Sequence, residues 1–369
     1  MAKRNREELK ALQSLPLHHK VALTQARIEE WVDEFGEDGV YVSFSGGKDS
    51  TVLLNIVREM YPNIEAVFVN TGLEYPEIQK FVKTFDNVTI LRSKMRFDEV
   101  IKKYGYPVIS KEVSNTIAGA RRSIAKGVYS HRLCKLGVSR EDYGGLLDDG
   151  KYDYDKALER SKFRQDKWKP LLEASFDCSS FCCDEMKKKP AAKYEKKTGR
   201  KPMIAELAEE SANRENAWFK NGCNGFGAKK PKSTPMAFWT ERDVLWYIKE
   251  NNLPIASVYG DIVYAEEPEQ VRWSEAVPEM AELDTEKQRK LTATGCKRTG
   301  CIFCAFGAHC KGDTRFVDLK QTHPRQYEYC IGGGEYNEDG VWQPNKDGLG
   351  MGHVFEELNK IYGDGFIKY

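Results

Sequence analysis

Apolar residues recur at helical spacing between residues 6 and 35, and the pattern is interrupted near Pro16. This spacing predicts two consecutive helices. Beyond them, short apolar runs alternate with amphipathic stretches at the intervals of β-α-β units. The runs predict strands at 40–44, 64–69, 88–91 and 201–205, and the stretches predict helices at 51–57, 75–85 and 97–104. Such alternation is typical of an α/β fold with a doubly wound, mainly parallel, Rossmann-like sheet.

The remaining segments have weaker periodicity. Residues 127–170 are rich in Gly, Tyr, Asp and Lys, and residues 261–290 are mostly acidic, so both are expected to be irregular. Thr240 is expected to cap a helix, and a short helix is expected around 354–361. We therefore expect an N-terminal helical segment over 1–37, a nucleotide-binding α/β domain over 38–260, and a cysteine-rich, metal-binding region with a tail over 261–369.

Composition narrows the class of protein. The chain has 369 residues, of which 40% are hydrophobic, enough for one sizeable core or a core with a smaller lobe. No apolar run reaches the roughly 18 residues that a membrane helix requires, and no apolar signal region follows the polar N-terminus. These features predict a cytoplasmic protein with no membrane partner. The formal net charge is +1, but lysines cluster at 187–189 and 229–230, where they could meet an acidic partner.

The most informative motif is the run Ser45-Gly46-Gly47-Lys48-Asp49-Ser50, which lies between a predicted strand and a predicted helix. Two glycines allow a tight turn, and the exposed amides with the helix N-terminus form an anion cradle. Lys48 supplies a positive charge, while Asp49 and Ser50 either cap the helix or hold Mg²⁺ beside a triphosphate. The glycine spacing differs from the Walker pattern. These six residues are therefore our candidate nucleotide-binding residues, with Lys48 and Asp49 also candidates for catalysis.

Other candidates follow from the predicted sheet. Ligands bind at the carboxyl ends of parallel strands, so the turn Asn70-Thr71-Gly72 is expected to face the same crevice as the loop at Ser45. Lys111, at a helix start capped by Ser110, and Arg214 are expected to clamp phosphate oxygens.

Ten cysteines in a reducing compartment are a poor disulfide framework, so metal or redox chemistry is the better expectation. Five of them could meet in space: the adjacent pair Cys182-Cys183, the pair Cys301-x-x-Cys304, and Cys310, with Cys296 just upstream. All-sulfur coordination suits an iron–sulfur cluster or zinc. We expect a [4Fe–4S] cluster, with zinc as the alternative. Small buried residues remain the simpler interpretation for four others: Cys134, Cys178, Cys223 and Cys330.

The loop at 45–50 resembles the PP-loop of ATP pyrophosphatases. Together, six segments within residues 38–310 resemble the phosphoadenosine phosphosulfate (PAPS) reductase superfamily: the loop at 45–50, Asn70 to Glu77, Tyr106 to Lys111, Cys182 to Lys187, Glu210 to Arg214, and Ser233 to Val244. The PP-loop resemblance implies an adenine nucleotide alpha hydrolase-like fold and cleavage of ATP between its α and β phosphates.

The superfamily implies two ligand sets. Reductases that carry a cluster bind it through a Cys-Cys pair and a CxxC, which here would be Cys182, Cys183, Cys301 and Cys304. Relatives that install sulfur in nucleic acids use one upstream cysteine, a CxxC and a further cysteine, which here would be Cys183, Cys301, Cys304 and Cys310. We favour the second set, with Cys182 and Cys296 as alternates, because Cys310 is otherwise unexplained.

The leading hypothesis is an ATP-dependent, AMP- and pyrophosphate-forming sulfurtransferase that binds Mg–ATP and acts on a nucleic acid, DNA or tRNA, with an iron–sulfur cluster. Sulfur-donor and electron-donor proteins would be its partners, and homo-oligomerisation is left open. Two departures weigh against a sulfonucleotide reductase: the loop is intact, and the last cysteine lies in Tyr329-Cys330-Ile331-Gly332 instead of a Glu-Cys-Gly motif. A reductase, with Cys330 or Cys310 as nucleophile, and a non-catalytic ATP-binding subunit are the alternatives.

Overall fold

The computed structural model describes residues 4–148, 164–265 and 290–369. Its twelve named strands are β1 (Val40–Ser43), β2 (Ala66–Asn70), β3 (Val88–Arg92), β4 (Val108–Ile109), β5 (Val128–Tyr129), β6 (Leu147–Asp148), β7 (Lys201–Ile204), β8 (Ile262–Tyr264), β9 (Leu291–Ala293), β10 (Ala305–Phe306), β11 (Glu335–Tyr336) and β12 (Trp342–Gln343).

Helices account for most of the other described residues. The α-helices are Arg6–Gln13, Leu17–Phe35, Lys48–Met60, Pro76–Val82, Phe97–Tyr104, Lys111–Ala125, His131–Lys135, Phe181–Cys183, Lys189–Thr198, Ala212–Asn221, Glu241–Glu250, Arg315–Thr322, Pro324–Ile331 and Met351–Tyr362. A π-helical turn, Asp184–Lys188, follows Cys183, and short 3₁₀ turns occur at Glu37–Gly39, Asp142–Gly144, Asp166–Leu172, Ala208–Glu210 and Ser257–Tyr259. Among the described residues, no helix is long and apolar enough to cross a membrane.

The chain divides into two compact units. The first comprises Met1–Asn70, Glu74–Arg92 and Pro190–Gly300 and contains a parallel sheet in the order β3-β2-β1-β7. Val40 and Val42 lie on one face of β1 and Tyr41 lies on the other, and all three are buried, as expected of a central strand that is covered on both faces. Helices pack on this sheet through apolar residues such as Ile28, Trp31 and Ile56. The unit is thus an α/β layered structure in which β1 leads directly into the loop at Ser45.

The second unit comprises Thr71–Leu73, Ser93–Lys189 and Cys301–Tyr369. It is mainly helical, with three two-stranded pairings: β4 with β10, β5 with β6, and β11 with β12. Its buried residues include Tyr106, Phe176, Phe316 and Phe355. The parallel pairing of β4 with β10 brings Ala305–Phe306 beside Val108–Ile109, and this pairing fixes the segment that follows Cys304.

The α/β class with a parallel sheet is confirmed, as are the two N-terminal helices and the helix caps. Ser110 Oγ accepts a hydrogen bond from Val113 N at 3.1 Å, and Thr240 Oγ1 accepts one from Asp243 N at 3.3 Å. The segment 127–170 is more regular than expected, because it includes His131–Lys135 and Asp166–Leu172. Its residues 149–163, and residues 266–289 of the acidic stretch, lie outside the described part of the chain. The expected C-terminal helix spans Met351–Tyr362.

Candidate functional site

The phosphate loop joins β1 to the helix Lys48–Met60, with Gly47 in the N-cap position. Gly46 has a φ of +72°, and a Cβ placed there would lie 2.7 Å from Val82 Cγ2 and 2.8 Å from Ile78 Cγ2. Both the backbone conformation and the available space therefore require glycine at this position. The Gly46 amide donates to no group within the described residues, so this donor is available to an anion at the helix N-terminus.

The two loop serines close the turn internally. Ser50 Oγ donates to Gly47 O at 2.9 Å and accepts from Ser45 N at 3.2 Å, and the Ser45 and Ser50 hydroxyls are 3.0 Å apart. The expectation that Asp49 or Ser50 caps the helix is wrong, because both residues already lie in its first turn. A tyrosine that the sequence did not point to supports the loop from outside: Tyr259 OH accepts from Lys48 N at 3.1 Å and is 2.6 Å from Thr299 Oγ1.

Lys48 is almost fully buried, with only 4% of its surface exposed. Its Nζ lies 3.2 Å from Glu241 Oε1 and 3.6 Å from Asp49 Oδ1. Burial alone would lower the pKa of Lys48, but Asp49, Glu241 and Tyr259 together raise it above its ordinary value. Lys48 is therefore a fixed positive charge at the loop, paired with two carboxylates.

Asp49 Oδ1 is buried and has no hydrogen-bond donor within the described residues. Its ion pair with Lys48 Nζ is as long as 3.6 Å. A carboxylate oxygen that accepts no hydrogen bond beside a phosphate loop suits Mg²⁺, which proteins usually hold through one or two carboxylates together with substrate phosphates. The donor at this position therefore fits Mg²⁺ bound to a nucleotide.

Arg214 lies in the first turn of the helix Ala212–Asn221, and its backbone N–H donates to Ser211 Oγ, the cap of this helix. Its guanidinium and that of Arg298 both contact the carboxylate of Glu210. Burial lowers the pKa of Arg214, and the carboxylates of Glu206 and, more weakly, Asp49 oppose this shift. Asn70 ends β2 and pairs in register with Arg92 at the end of β3, at the carboxyl edge of the sheet.

The turn after Asn70 belongs to the second unit, where Leu73 N donates to Thr71 Oγ1 at 3.1 Å and Gly72 has a φ of +75°. Lys111 lies in the same unit. The Lys111 ammonium lies beside the Cys183 thiol. The sequence predicted that Lys111 clamps a phosphate and did not predict this contact.

Four thiols border one small cavity in the second unit. This cavity, of about 20 Å³, is lined by Leu73, Phe97, Pro107, Cys182, Cys183, Met186, Lys187, Cys301 and Cys304. We call it the cysteine cavity. The π-helical turn directly after Cys183 brings both cysteines, Met186 and Lys187 onto one face, and such turns are frequent at functional sites.

The electrostatic environment differs between the two adjacent cysteines. A hydrogen bond from the Cys182 thiol, followed by the ammonium groups of Lys111 and Lys187, lowers the pKa of Cys183. The same hydrogen bond and burial raise the pKa of Cys182. Burial also raises the pKa of Cys304. The side chains near Cys183 therefore favour a thiolate at that sulfur.

The loop that carries the second cysteine pair is held through its carbonyls. Arg315 Nη1 donates to Cys304 O and Phe306 O, each at 3.0 Å, and the Arg315 guanidinium is itself paired with Asp313. Gly307 N donates to Ile109 O at 2.8 Å. Arg315 thus positions this loop, although no feature of the sequence singled it out.

The cysteine cavity contains Cys182, Cys183, Cys301 and Cys304 but not Cys310. Cys310 is exposed. Cys296 belongs to the first unit, and its Sγ donates to Arg298 O at 2.9 Å. Within the described residues, no three His, Cys, Asp or Glu side chains are already close enough to hold a metal ion. The donor chemistry of four thiols around one cavity nonetheless fits a thiolate-bound metal or cluster.

The four cysteines that were expected to be small buried residues lie elsewhere. Cys134, Cys178 and Cys330 are buried as expected, whereas Cys223 is half-buried.

The fold and these two groups of residues define an α/β protein with a phosphate-type loop and a cysteine cavity. Residues 39–127, about a quarter of the chain, match the model of the phosphoadenosine phosphosulfate reductase domain. This match includes β1, the phosphate loop and the helix after it, and it supports a relationship of this nucleotide-binding part to the PAPS reductase superfamily.

Two uncharacterized proteins of Methanocaldococcus jannaschii are similar over short segments. One is 34% identical over 83 residues, which cover 21% of this chain and 20% of the relative. The other is 40% identical over 73 residues, which cover 18% and 15% of the two chains. The chain thus spans a fifth or less of the length of these relatives. The crystal structure of a PAPS reductase from Candida auris, a phosphate complex, aligns with a TM-score of 0.35 and 13% identity over 69% of this chain and 90% of that one.

Proposed function

We propose that this chain is an ATP pyrophosphatase of the PP-loop type that adenylates an acceptor oxygen and then transfers sulfur to the acceptor. The observation that carries the proposal is the intact loop Ser45–Ser50, with a glycine that tolerates no side chain and a buried lysine at the helix N-terminus. The match to the PAPS reductase domain, in which this loop lies, supports nucleotide binding.

In the first step the acceptor oxygen attacks the α-phosphorus of ATP. The bond between this phosphorus and the α,β-bridging oxygen breaks, and pyrophosphate leaves with the electron pair. Lys48 and the loop amides stabilise the negative charge that develops on pyrophosphate, and one such donor is typically worth ~3 kcal/mol of barrier. Arg214, a cation of the same unit, is the proposed clamp for the other phosphate oxygens.

In the second step, the sulfur of a hydrosulfide ion attacks the acceptor atom that bears the adenylated oxygen. The bond from this atom to sulfur forms, the sulfur loses its proton, and AMP leaves with the acceptor oxygen and the electron pair. Cys182, Cys183, Cys301 and Cys304 are the residues that would hold a [4Fe–4S] cluster or zinc. A cluster bound by three of these thiolates would leave one iron free to bind sulfur, and zinc would supply thiolate activation. Lys111 and Lys187 stabilise the thiolate of Cys183. We propose a nucleic acid as acceptor, because Lys229 and Lys230 are exposed and provide positive charge, whereas Lys188 and Lys189 are paired with Asp184 and Glu185.

A sulfonucleotide reductase is the second candidate, because the matched domain is that of a reductase and the cavity contains a Cys-Cys pair with a CxxC. A reductase needs a cysteine thiolate that attacks sulfur, and the described structure does not favour one at Cys330. Cys330 is fully buried, 3.5 Å from Met351 Sδ, and burial raises its pKa, which disfavours the thiolate. Cys310, which is exposed, would have to serve.

The two candidates differ in their products. The protein, prepared anaerobically with iron and sulfide, is incubated with ATP and with total tRNA, DNA or no acceptor, and in parallel with a sulfonucleotide and a dithiol reductant. The proposed function predicts AMP and pyrophosphate from ATP with one acceptor. Sulfite release from the sulfonucleotide without pyrophosphate formation would instead establish the reductase. Lys80→Ala, on an exposed position of the same unit, is the control for Lys48→Ala.

A further inference from the structure

The first unit contains a large cavity, separate from the cysteine cavity of the second unit, that the proposed chemistry does not use. It has a volume of about 810 Å³, within the usual size of ligand sites. The N-terminal helices form one wall, and the helix Ala212–Asn221 with the loop after it forms the other. We call it the N-terminal cavity. Its chemistry is set by six of its lining residues: Arg4, Arg27, Trp218, Lys220, Phe226 and Lys229.

Hydrogen bonds hold the two walls in place. Arg6 donates through Nε and Nη2 to the two carboxylate oxygens of Glu215, at 2.9 and 2.8 Å. Asn224 Nδ2 donates to Arg27 O at 2.9 Å, and Asn224 Oδ1 accepts from Ser233 Oγ at 2.6 Å. The cavity is therefore formed before any ligand binds.

The charge around this cavity is mainly positive. Arg27 pairs with Glu30, and Glu8 is the other carboxylate of the lining, whereas Arg4, Lys220 and Lys229 contribute three further cations. Lys220 and Lys229 are exposed at its edge. An anionic ligand is thus favoured over a neutral or cationic one.

Aromatic side chains supply flat surfaces. Phe226 stacks on Trp31 with ring centroids 5.2 Å apart, yet 40% of its surface is exposed, so one face is fixed and the other is open. Trp218 is 4% exposed, and its indole N–H faces the Cys223 thiol, so its ring is a fixed part of the wall. A planar ligand can stack on the open face of Phe226.

A smaller cavity adjoins the N-terminal cavity. It has a volume of about 70 Å³, shares Trp218, Asn221 and Cys223 with the N-terminal cavity, and is also lined by Arg214. A ligand that fills both cavities would therefore contact Arg214.

We propose that the N-terminal cavity binds a single-stranded stretch of the nucleic acid acceptor, with a base stacked on Phe226 and backbone phosphates bound by Arg4, Lys220 and Lys229. Identifying the strand as the acceptor rests on the proposed function, but strand binding itself does not. Bases present planar faces, and phosphates present negative charge, which together match the lining. An acidic peptide provides the negative charge but no planar base to stack on Phe226.

Fluorescence anisotropy of labelled 12-nucleotide oligo(dT) and oligo(U) tests the proposal without ATP, so that a failure to form pyrophosphate does not affect the result. Lys220→Glu combined with Lys229→Glu is expected to weaken binding at least tenfold and to reduce the slope of log K against log salt by about 1.4. Phe226→Leu keeps an apolar contact for Trp31 and is expected to weaken binding about tenfold with an unchanged slope.

The control is the pair Lys80→Glu and Lys83→Glu, which makes the same change in net charge on exposed positions of the same unit. We expect it to retain wild-type affinity within about twofold. Equal weakening by both double variants, or wild-type affinity in Phe226→Leu, would overturn the proposal. So would a poly-glutamate peptide that displaces the oligonucleotide at lower concentration than unlabelled oligonucleotide does, because the cavity would then select an acidic peptide.

Discussion

The phosphate loop and the cysteine cavity are built in opposite ways. The loop consists of consecutive residues between a buried strand and a helix, and its shape depends on backbone conformation at Gly46 and Gly47. The cavity is assembled from segments near residues 73, 97, 107, 182–187 and 301–304, and a guanidinium at Arg315 holds one of them through carbonyl oxygens. A local site can be disrupted by one misplaced atom, whereas a composite site fails when a distant support is lost.

The largest effect is expected at Gly46. Gly46→Ala places a Cβ against Ile78 and Val82 and imposes a positive φ on alanine, so we expect at least a hundredfold loss of ATP binding together with a lower melting temperature. The measurement is ATP titration by calorimetry with thermal unfolding alongside. Gly36→Ala is the matched control, since Gly36 has a φ of +76° but no atom within 4 Å of an added Cβ. Equal losses in the two variants would mean that packing against the loop is unimportant.

The second-largest effect is expected on metal content when a cysteine of the cavity is replaced. We expect Cys182→Ser to lose most of the bound iron, zinc and acid-labile sulfide, because Cys182 lines the cavity, and Cys310→Ser to retain them. Metal and sulfide are quantified after anaerobic purification, without any assay of activity. If Cys310→Ser loses its metal while Cys182→Ser keeps it, the ligand set that includes Cys310 is correct and the cavity is not the binding site.

A smaller effect is expected at Arg315, which holds the loop at Cys304 without lining the cavity. Arg315→Ala removes the donor shared by Cys304 O and Phe306 O, and hydrogen bonds to charged groups typically contribute ~2 kcal/mol. We expect a lower free energy of unfolding and faster alkylation of Cys304, followed by mass spectrometry. Arg122→Ala, at an exposed position in the same unit, is the control. An unchanged alkylation rate in Arg315→Ala would show that the loop does not depend on this side chain.

The smallest effect is expected at Glu241, which pairs with Lys48 at 3.2 Å while remaining half exposed. A phosphate group must compete with this carboxylate, so Glu241→Gln is expected to improve the Kd for inorganic pyrophosphate about threefold, in line with the modest strength of exposed ion pairs. Calorimetric titration measures it, with Glu34→Gln as a control on an exposed position. Weaker binding in Glu241→Gln would mean that the carboxylate assists the ligand.

The sequence predicted contiguous features well. The helix over 97–104, the strands around the loop, and the caps at Ser110 and Thr240 depend on local periodicity and on side chains three residues apart. The pairing of Val108–Ile109 with Ala305–Phe306 was missed, because two-residue strands have no periodicity and their partners are far apart in sequence. Tyr259 was missed for a similar reason: its hydroxyl reaches Lys48 N from a loop that has no motif.

Part of the candidate site could be predicted and part could not. The loop residues 45–50 are adjacent, so their composition was sufficient to identify a phosphate cradle. The wrong expectation of a cap at Asp49 or Ser50 arose because Gly47, which has no side chain, occupies the cap position and Ser50 bonds back to Gly47 O. For the cysteines, the family resemblance left two ligand sets open. In the structure Cys182 lines the cysteine cavity and Cys310 does not, a distinction that depends on tertiary contacts and not on local sequence.

The central claim is that the loop directs cleavage between the α and β phosphates of ATP. The most direct test is to incubate γ-³²P-labelled ATP with the reconstituted protein and the responsive acceptor, and to identify the labelled product by chromatography. We expect the label to appear in pyrophosphate, in equal amount to AMP, and we expect Lys48→Ala to reduce the rate at least a hundredfold while Lys80→Ala does not. Label released as inorganic phosphate together with ADP would contradict it, as would a Lys48→Ala variant that forms pyrophosphate at the wild-type rate.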